Sequence, residues 1–404
     1  MSLSSIRRVD RLLRDGRGRL EATAGAGPLR LVTGSPAADA DSLAASVGYA
    51  FLLSLQAAPG AVVLPWAPIP RADLDLRPEA ELLFRRAGLE PALLACAEEV
   101  DPERLGERPG GLELVLVDSD GSWLPAAARG RIVEVLDHHP GARRPAEASS
   151  LKWAVEQVGS ACTLVAERLL GRDPGLLDAG LALLLLGPIL LDTALFSPQA
   201  RRATDRDVRA ARRLSQAAGA AQDELYTELL DARQRLPGLS SRDLLRRDFK
   251  GREAGGIRYG ISSSPVPLER WRERDAAPER EVGRFLAERQ LDLLLVMMGW
   301  EEPGSGGFRR ELGIAAVDPG HAAAAAAWLR EAGLGLRELE GPAAGAAPAA
   351  GAAPAAGAAP GAGAAPAAGA PVLWFSQPAV EISRKGLEPR LRSWLEAGGL
   401  EAGR

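Results

Sequence analysis

The residues with the clearest chemical potential are Asp137-His138-His139-Pro140, which close an apolar run over residues 132–136. The chain has three histidines, and two of them stand side by side here. Three other apolar runs stop at acidic residues in the same way. Residues 29–34 lead to Asp39 and Asp41, residues 112–117 to Asp118, and residues 189–191 to Asp192. Carboxylates and imidazoles together suit divalent cations, and a pair of such cations can clamp a phosphoryl group while activating water. Acidic segment ends converging on a histidine pair therefore point to a two-metal phosphoesterase site.

The elements that must position these residues follow from periodicity. Residues 29–33 read as a buried strand ended by Gly34, and 42–55 as a helix. Asp39 and Asp41 fall between them. There the carboxylates suit cations and the helix's free N–H groups suit phosphate; plain capping is the alternative. A strand over 61–64, a helix over 77–98, a strand over 112–117, a short helix over 123–129 and a strand from Ile132 continue the pattern. Such alternation predicts a parallel sheet with helices on both faces. Ligands sit at the carboxyl edge of such sheets, and Asp39, Asp41, Asp118 and His138 all fall on that edge. Residues 157–168 read as a turn opening a helix. Gly159, Ser160 and Thr163 there offer donors to phosphate or cap the helix.

Ile6, Val9, Leu12 and Leu13 recur at helical spacing among arginines, which predicts an amphipathic helix docked on the first domain. A membrane or partner role is the alternative. Residues 203–236 read as helical, and a break over 237–240 separates the domains. The second half mixes strands over 256–262, 291–298 and 309–317 with helices over 277–289 and 321–331. Residues 341–371 contain only Ala, Gly and Pro and cannot build a core. Strand-like residues 372–375 follow, so the tract is expected as an insertion within the second domain. The expected domains are 1–236, carrying the metal site, and 240–404.

A length of 404 residues leaves room for two domains with sizeable cores. The net charge of -4 argues against a general nucleic-acid binder. Cys96 and Cys162 are too few for a disulfide framework and suggest a reducing compartment. With no apolar leader evident, a cytoplasmic location is expected. Residues 181–191 are very apolar but shorter than the about 20 residues that a membrane span needs, so no membrane association is expected. Of the 49 basic residues only Lys152, Lys250 and Lys385 are lysines, each a place where a compact ammonium could matter.

Several motifs together resemble a known family. Gly34-Ser-Pro-Ala-Ala-Asp-Ala-Asp-Ser42, Val117-Asp118, Asp137-His-His-Pro140 and Leu190-Leu-Asp192 resemble the four metal-site motifs of the DHH phosphoesterase superfamily. Val158-Gly-Ser-Ala-Cys-Thr-Leu-Val165, Leu244-Leu-Arg-Arg-Asp-Phe-Lys250 and Ser383-Arg384-Lys385 narrow the resemblance to prune-type exopolyphosphatases, relatives of family II inorganic pyrophosphatases. The resemblance implies an α/β protein. An N-terminal parallel-sheet DHH domain would be joined to a smaller mixed α/β DHH-associated domain, with the active site in the cleft between them.

It further implies two divalent ions, Mg2+ or Mn2+. Asp39 would bind one, Asp41 and His138 the other, and Asp118 and Asp192 both. His139 would face the substrate phosphate, giving Asp118, His138 and His139 as the catalytic group. Lys250, Arg384 and Lys385 would reach the remaining phosphates. The implied activity is hydrolysis of phosphoanhydride bonds of inorganic polyphosphate, short chains preferred, by a water activated between the two ions. Inorganic pyrophosphatase and nucleotide phosphodiesterase are the alternative activities, the latter disfavoured by few aromatics to stack a base. From another class comes a weakly active interaction protein, with partners recruited by the N-terminal helix or the insertion.

Two positions depart from the family pattern. Ser35 stands where pyrophosphatases have a histidine ligand and many prune-like proteins an asparagine; Ser119 stands where histidine is usual. Oxygen in place of imidazole shifts the preference from manganese or cobalt toward magnesium. Asp318-Pro-Gly-His321 resembles the glycine-rich histidine motif of the superfamily's other branch. The glycine run is missing, so His321 is expected as a helix-start residue.

Overall fold

Along residues 112–117 the side chains of Leu114 and Leu116 pack into one core and those of Val115 and Val117 into another. All four are fully buried. A strand buried on both faces is the mark of a parallel sheet covered by helices. A one-residue slip would exchange the two faces, so the register is strongly specified.

The computed structural model describes residues 3–21, 28–107, 110–144, 146, 151–234, 239–301, 307–339 and 371–400. The chain divides into two units, Met1–Gly238 and Leu239–Arg404. The first runs α1 (Ser5–Glu21), β1 (Leu29–Thr33), α2 (Ala40–Ser54), β2 (Val62–Trp66), α3 (Pro78–Ala87), α4 (Pro102–Gly106), β3 (Leu112–Val117), α5 (Ala126–Arg129), β4 (Ile132–Asp137), β5 (Lys152–Val155), α6 (Ala161–Arg172), α7 (Ala179–Asp192), α8 (Asp205–Ala218) and α9 (Gln222–Gln234). Its five strands are all parallel, in the order β2-β1-β3-β4-β5. Leu116 of β3 lies opposite Thr33 of β1, and Val117 opposite Leu136 of β4. The three chain segments that leave these strands therefore start side by side at one edge.

One core joins the helices of α2, α3, α6 and α7 to that sheet, and α1 closes on it with Val9 and Leu13 fully buried. The Ile6 N–H donates to Asp178 Oδ2 at 2.8 Å, tying α1 to the start of α7. The apolar stripe of the N-terminal helix is thus packed within its own unit. Residues 181–191 form most of α7, buried along their whole length. No helix of the described residues is long and apolar enough to cross a membrane.

Several expected boundaries differ. The helix expected over 77–98 stops at Ala87, because Gly88 takes φ +86° and ends it, and only a short turn at Pro91–Leu93 follows. The helical stretch expected over 203–236 is, within the described residues, the pair α8 and α9, divided by Gly219 at φ +64°. The edge strand β5 lies outside the expected set; its Lys-Trp-Ala-Val is short and none of its residues is fully buried.

The second unit contains α10 (Ser241–Arg247), β6 (Phe249–Ala254), β7 (Ile257–Ser264), α11 (Leu268–Arg274), α12 (Pro278–Glu288), β8 (Leu293–Glu301), β9 (Phe308–Ala316), α13 (Pro319–Leu329), β10 (Arg337–Glu338), β11 (Val372–Ser376) and α14 (Arg384–Glu396). Its sheet runs β10-β11-β9-β8-β7-β6, antiparallel except where β7 meets β8. The hairpin strand β6 was missed because Phe-Lys-Gly-Arg-Glu-Ala is mostly polar. The Ala/Gly/Pro tract lies outside the described residues up to position 370. The strands that flank it, β10 and β11, pair with each other, so the chain leaves and re-enters one sheet.

Both cysteines are free and buried. Burial, the largest cause, pushes the Cys96 thiol up to about 11. We expect neither thiol to react with a disulfide reagent in the native protein at neutral pH and both to react in denaturant, since thiolate is the reactive form. Rapid labelling of the folded chain would contradict the packing around them.

Candidate metal centre

The carboxyl edge of the first sheet is built under steric constraint. Gly34 follows β1, and a Cβ there would fall 2.5 Å from Ser42 Cβ and 2.9 Å from Ser42 Cα. Only glycine lets the strand end press against the first turn of α2. The intervening loop is held by buried Arg77, whose Nε donates to the Ala37 carbonyl at 2.9 Å, and Ala38 takes φ +46°. At the end of β3, Asp118 also has a left-handed backbone, φ +56°. That conformation costs most L-residues roughly 1–2 kcal/mol, though Asp tolerates it better. Strain of this kind persists where the surroundings over-determine it.

Asp118 is buried among polar partners. The Ser42 hydroxyl donates to its Oδ2 at 2.5 Å. His138 Nε2 lies 3.1 Å, and His139 Nδ1 3.5 Å, from its Oδ1. Burial alone would raise this carboxyl, but His138 and His139 in their protonated form, His138 donating from Nε2, hold it down at about 2. Asp41, equally buried, is gripped by the N-terminus of α6. Its Oδ1 accepts the Ser160 hydroxyl at 2.6 Å and the Cys162 N–H at 2.9 Å; its Oδ2 accepts the Ala161 N–H at 2.7 Å. Desolvation and the nearby Asp118 charge nevertheless raise its pKa.

The two histidines are fixed by different acceptors. His138 Nδ1 lies 2.9 Å from the Val158 carbonyl, which can only accept, so the Nδ1–H donates. In the neutral ring Nε2 then carries a lone pair, 3.1 Å from Asp118 Oδ1 and 3.8 Å from Asp41 Oδ2. A lone pair facing two carboxylates is repulsive unless a proton or a cation lies among them. This donor set fits a divalent cation. His139 Nδ1 sits 2.8 Å from Asp137 Oδ1, which also accepts the N–H groups of His138 and His139. Burial, with the Asp118 charge, lifts Asp137 to about 6. Asp137 thus aims the His139 imidazole and pins the His138 backbone, a role the motif alone did not disclose.

Among the described residues, Asp118, His138 and His139 bring ligand atoms within 4.8 Å of one another. Asp41 approaches through His138. Asp39 stands further out as the N-cap of α2, its Oδ1 accepting the Ser42 N–H at 3.0 Å. Asp192 is the last residue of α7. The charges of Asp192 and Asp39 both act on Arg233 of α9, which lies 3.3 Å from Glu79. Of Gly159, Ser160 and Thr163, read as phosphate donors or caps, Ser160 is the N-cap of α6, accepting the Cys162 N–H at 3.2 Å while its hydroxyl donates to Asp41; the other two donate to Asp207. Lys250, Arg384 and Lys385 belong to the second unit. Lys250 lies on β6, Arg384 Nη1 is 2.7 Å from Asp248 Oδ1, and Lys385 is exposed on the first turn of α14. His321 is a helix-start residue, two places after Pro319 at the beginning of α13.

The DHHA2 domain family model matches residues 227–394. A putative exopolyphosphatase of Schizosaccharomyces pombe is 30% identical over 284 residues, covering 66% of this chain and 71% of that protein. This chain belongs to the prune-type exopolyphosphatases of the DHH superfamily. Human exopolyphosphatase PRUNE1 is 30% identical over 250 residues, 61% of this chain and 54% of that protein. The prune-type chain described here thus spans just over half the length of its mammalian relatives. A putative family II inorganic pyrophosphatase of Methanococcus jannaschii shares the fold, with a TM-score of 0.56 and 23% identity over 73% of this chain and 89% of that one.

The two departures of this prune-type chain have visible consequences. Ser35 is buried, its hydroxyl 3.1 Å from Ser42 Oγ and its N–H donating to the same atom at 3.2 Å. Ser119 accepts from Trp123 Nε1 at 3.1 Å and Gly121 N–H at 3.2 Å. Asp120 accepts the Arg143 N–H at 3.1 Å and the Ser122 N–H at 3.0 Å. Both Ser119 and Asp120 brace the loop after β3.

Proposed function

We propose that this protein is a divalent-metal-dependent hydrolase of phosphoanhydride bonds, acting on short chains of inorganic polyphosphate. The observation that carries this reading is the meeting of Asp118, His138 and Asp41 at one sheet edge, with His138 Nε2 directed at both carboxylates. The exopolyphosphatase names of the relatives support the substrate class. Asp39, Asp41, Asp118, His138 and Asp192 would hold two divalent ions, Mg2+ or Mn2+, which when bound neutralise phosphate charge and acidify water.

The chain's own groups do the rest. Asp137 orients His139, which contacts the terminal phosphate at the edge of Asp118. Asp118 stays ionised at neutral pH and so remains an acceptor and a ligand. Lys250, Arg384 and Lys385 bind the phosphates beyond the first, with Arg384 preset by Asp248. Phosphoryl transfer asks chiefly for such positioning and charge neutralisation. Residues 1–236 act as the metal-bearing domain and 240–404 as the substrate clamp, in a cytoplasmic protein that binds neither nucleic acid nor membrane.

The test is phosphate release from pyrophosphate, tripolyphosphate, tetrapolyphosphate and long polyphosphate, with Mg2+ and then Mn2+, each beside an Asp118→Asn control. Preference for tri- or tetraphosphate, lost in the control, is expected. Pyrophosphate as the best substrate would make the protein a pyrophosphatase. Absence of release from every substrate with either ion would overturn the enzymatic reading in favour of an interaction protein.

A further inference from the structure

Asp207, fully buried in the first turn of α8, is surrounded by donors alone. The Gly159 N–H reaches its two oxygens at 3.0 and 2.9 Å, and the Thr163 hydroxyl donates at 2.6 Å. The Thr204 N–H and hydroxyl each donate at 2.7 Å. The Thr204 bonds belong to local capping at the start of α8. Gly159 and Thr163 do not: they come from 48 and 44 residues earlier in the chain, on the turn into α6.

That turn is the one that grips Asp41 through Ser160, Ala161 and Cys162. It also presses on the far end of α7. A Cβ at Gly159 would lie 2.6 Å from Thr193 Cγ2 and 3.0 Å from the Arg202 carbonyl, and Thr193 follows Asp192. One buried carboxylate therefore fixes the segment against which two of the assigned ligands are set. We propose that Asp207 is a positioning residue for the metal site, acting on Asp41 through the first turn of α6 and on Asp192 through the Gly159–Thr193 contact. The proposal rests on the metal reading above and extends it to a residue that touches neither ion nor substrate.

Asparagine at this position keeps the shape but replaces one of two acceptor oxygens with an NH2, which repels the Gly159 or Thr204 N–H it faces and forces a threonine hydroxyl to turn from donor to acceptor. Thr163→Val is a milder probe, since it removes one bond on the α6 side and leaves the α8 cap intact. Ser215→Ala is the control for α8 itself; its hydroxyl donates to the Ala220 carbonyl at 2.6 Å at the helix's other end. Calorimetric titration of Mn2+ into each full-length protein, with thermal melts of the metal-free forms, gives a readout independent of turnover. Asp207→Asn is expected to weaken Mn2+ binding about tenfold, the lower end of the range for residues supporting metal ligands. Thr163→Val should weaken it less, and Ser215→Ala should leave it unchanged whatever its melting temperature. Unaltered Mn2+ affinity in both Asp207→Asn and Thr163→Val, or equal weakening in Ser215→Ala, would overturn the proposal while leaving the metal reading intact. A wild-type protein that takes up no Mn2+ would overturn both.

Discussion

Asp118→Asn should lower phosphate release by more than about a hundredfold, beyond the usual effect of removing a residue that merely supports a ligand. It should do so without unfolding the first unit. The three acids of the cluster are shifted in different directions: Asp41 is raised by burial and the Asp118 charge, Asp137 reaches about 6, and Asp118 alone is lowered, to about 2. Its charge is what asparagine removes. What asparagine preserves is tolerance of the left-handed backbone at φ +56° and an oxygen that can accept from Ser42. Alanine would add a backbone cost of roughly 1–2 kcal/mol and leave the buried Ser42 hydroxyl without that acceptor. Measuring release, the Mn2+-induced rise in melting temperature and the metal-free melting temperature for both variants separates charge from fold. An asparagine variant with wild-type turnover would remove Asp118 from the catalytic group.

Gly34→Ala is expected to destabilise the metal-free protein by about 1–3 kcal/mol, the range for overpacking a tight contact, and to weaken Mn2+ binding as well. The added methyl meets Ser42 at its Cβ, Cα and carbonyl oxygen, at 2.5, 2.9 and 3.0 Å. Two of these are backbone atoms of a helix and cannot rotate aside. Relief requires α2 to retreat from β1, which carries Asp41 and the Ser42 hydroxyl away from Asp118. Urea unfolding and Mn2+ titration report the two effects. Wild-type stability together with wild-type affinity would show that the strand and helix are not jammed at this point.

Much of the site was legible because its residues are rare or stand where the pattern changes. Two of three histidines in adjacent positions, and acids at the ends of apolar runs, located the strand ends before any packing was known. The parallel sheet followed from alternation, and the close of β3 at Val117 came out as read. What stayed hidden depends on pairing across the chain. Asp207 looks like an ordinary first-turn acid of a charged helix; its partners at Gly159 and Thr163 cannot be inferred from spacing. Ser160 reads equally as a phosphate donor or a helix cap; it caps α6, and its hydroxyl proton goes to Asp41, a pairing 119 residues away in the chain that spacing does not show, because burial makes an unpaired carboxylate more costly than an unpaired hydroxyl. The strands β5 and β6 escaped for a different reason. An edge strand is half exposed and needs no apolar run.

The helix α7 carries one more consequence. Every residue from Leu181 to Leu191 is buried, and the helix is walled in by α2, α3, α6, α8 and α9. Local opening draws on regions with few buried contacts, and α7 offers none along that span. Its amides should therefore exchange with solvent only when the whole unit unfolds. Asp192, one residue past this span, closes that sheltered helix, so its backbone position should be lost only together with the fold.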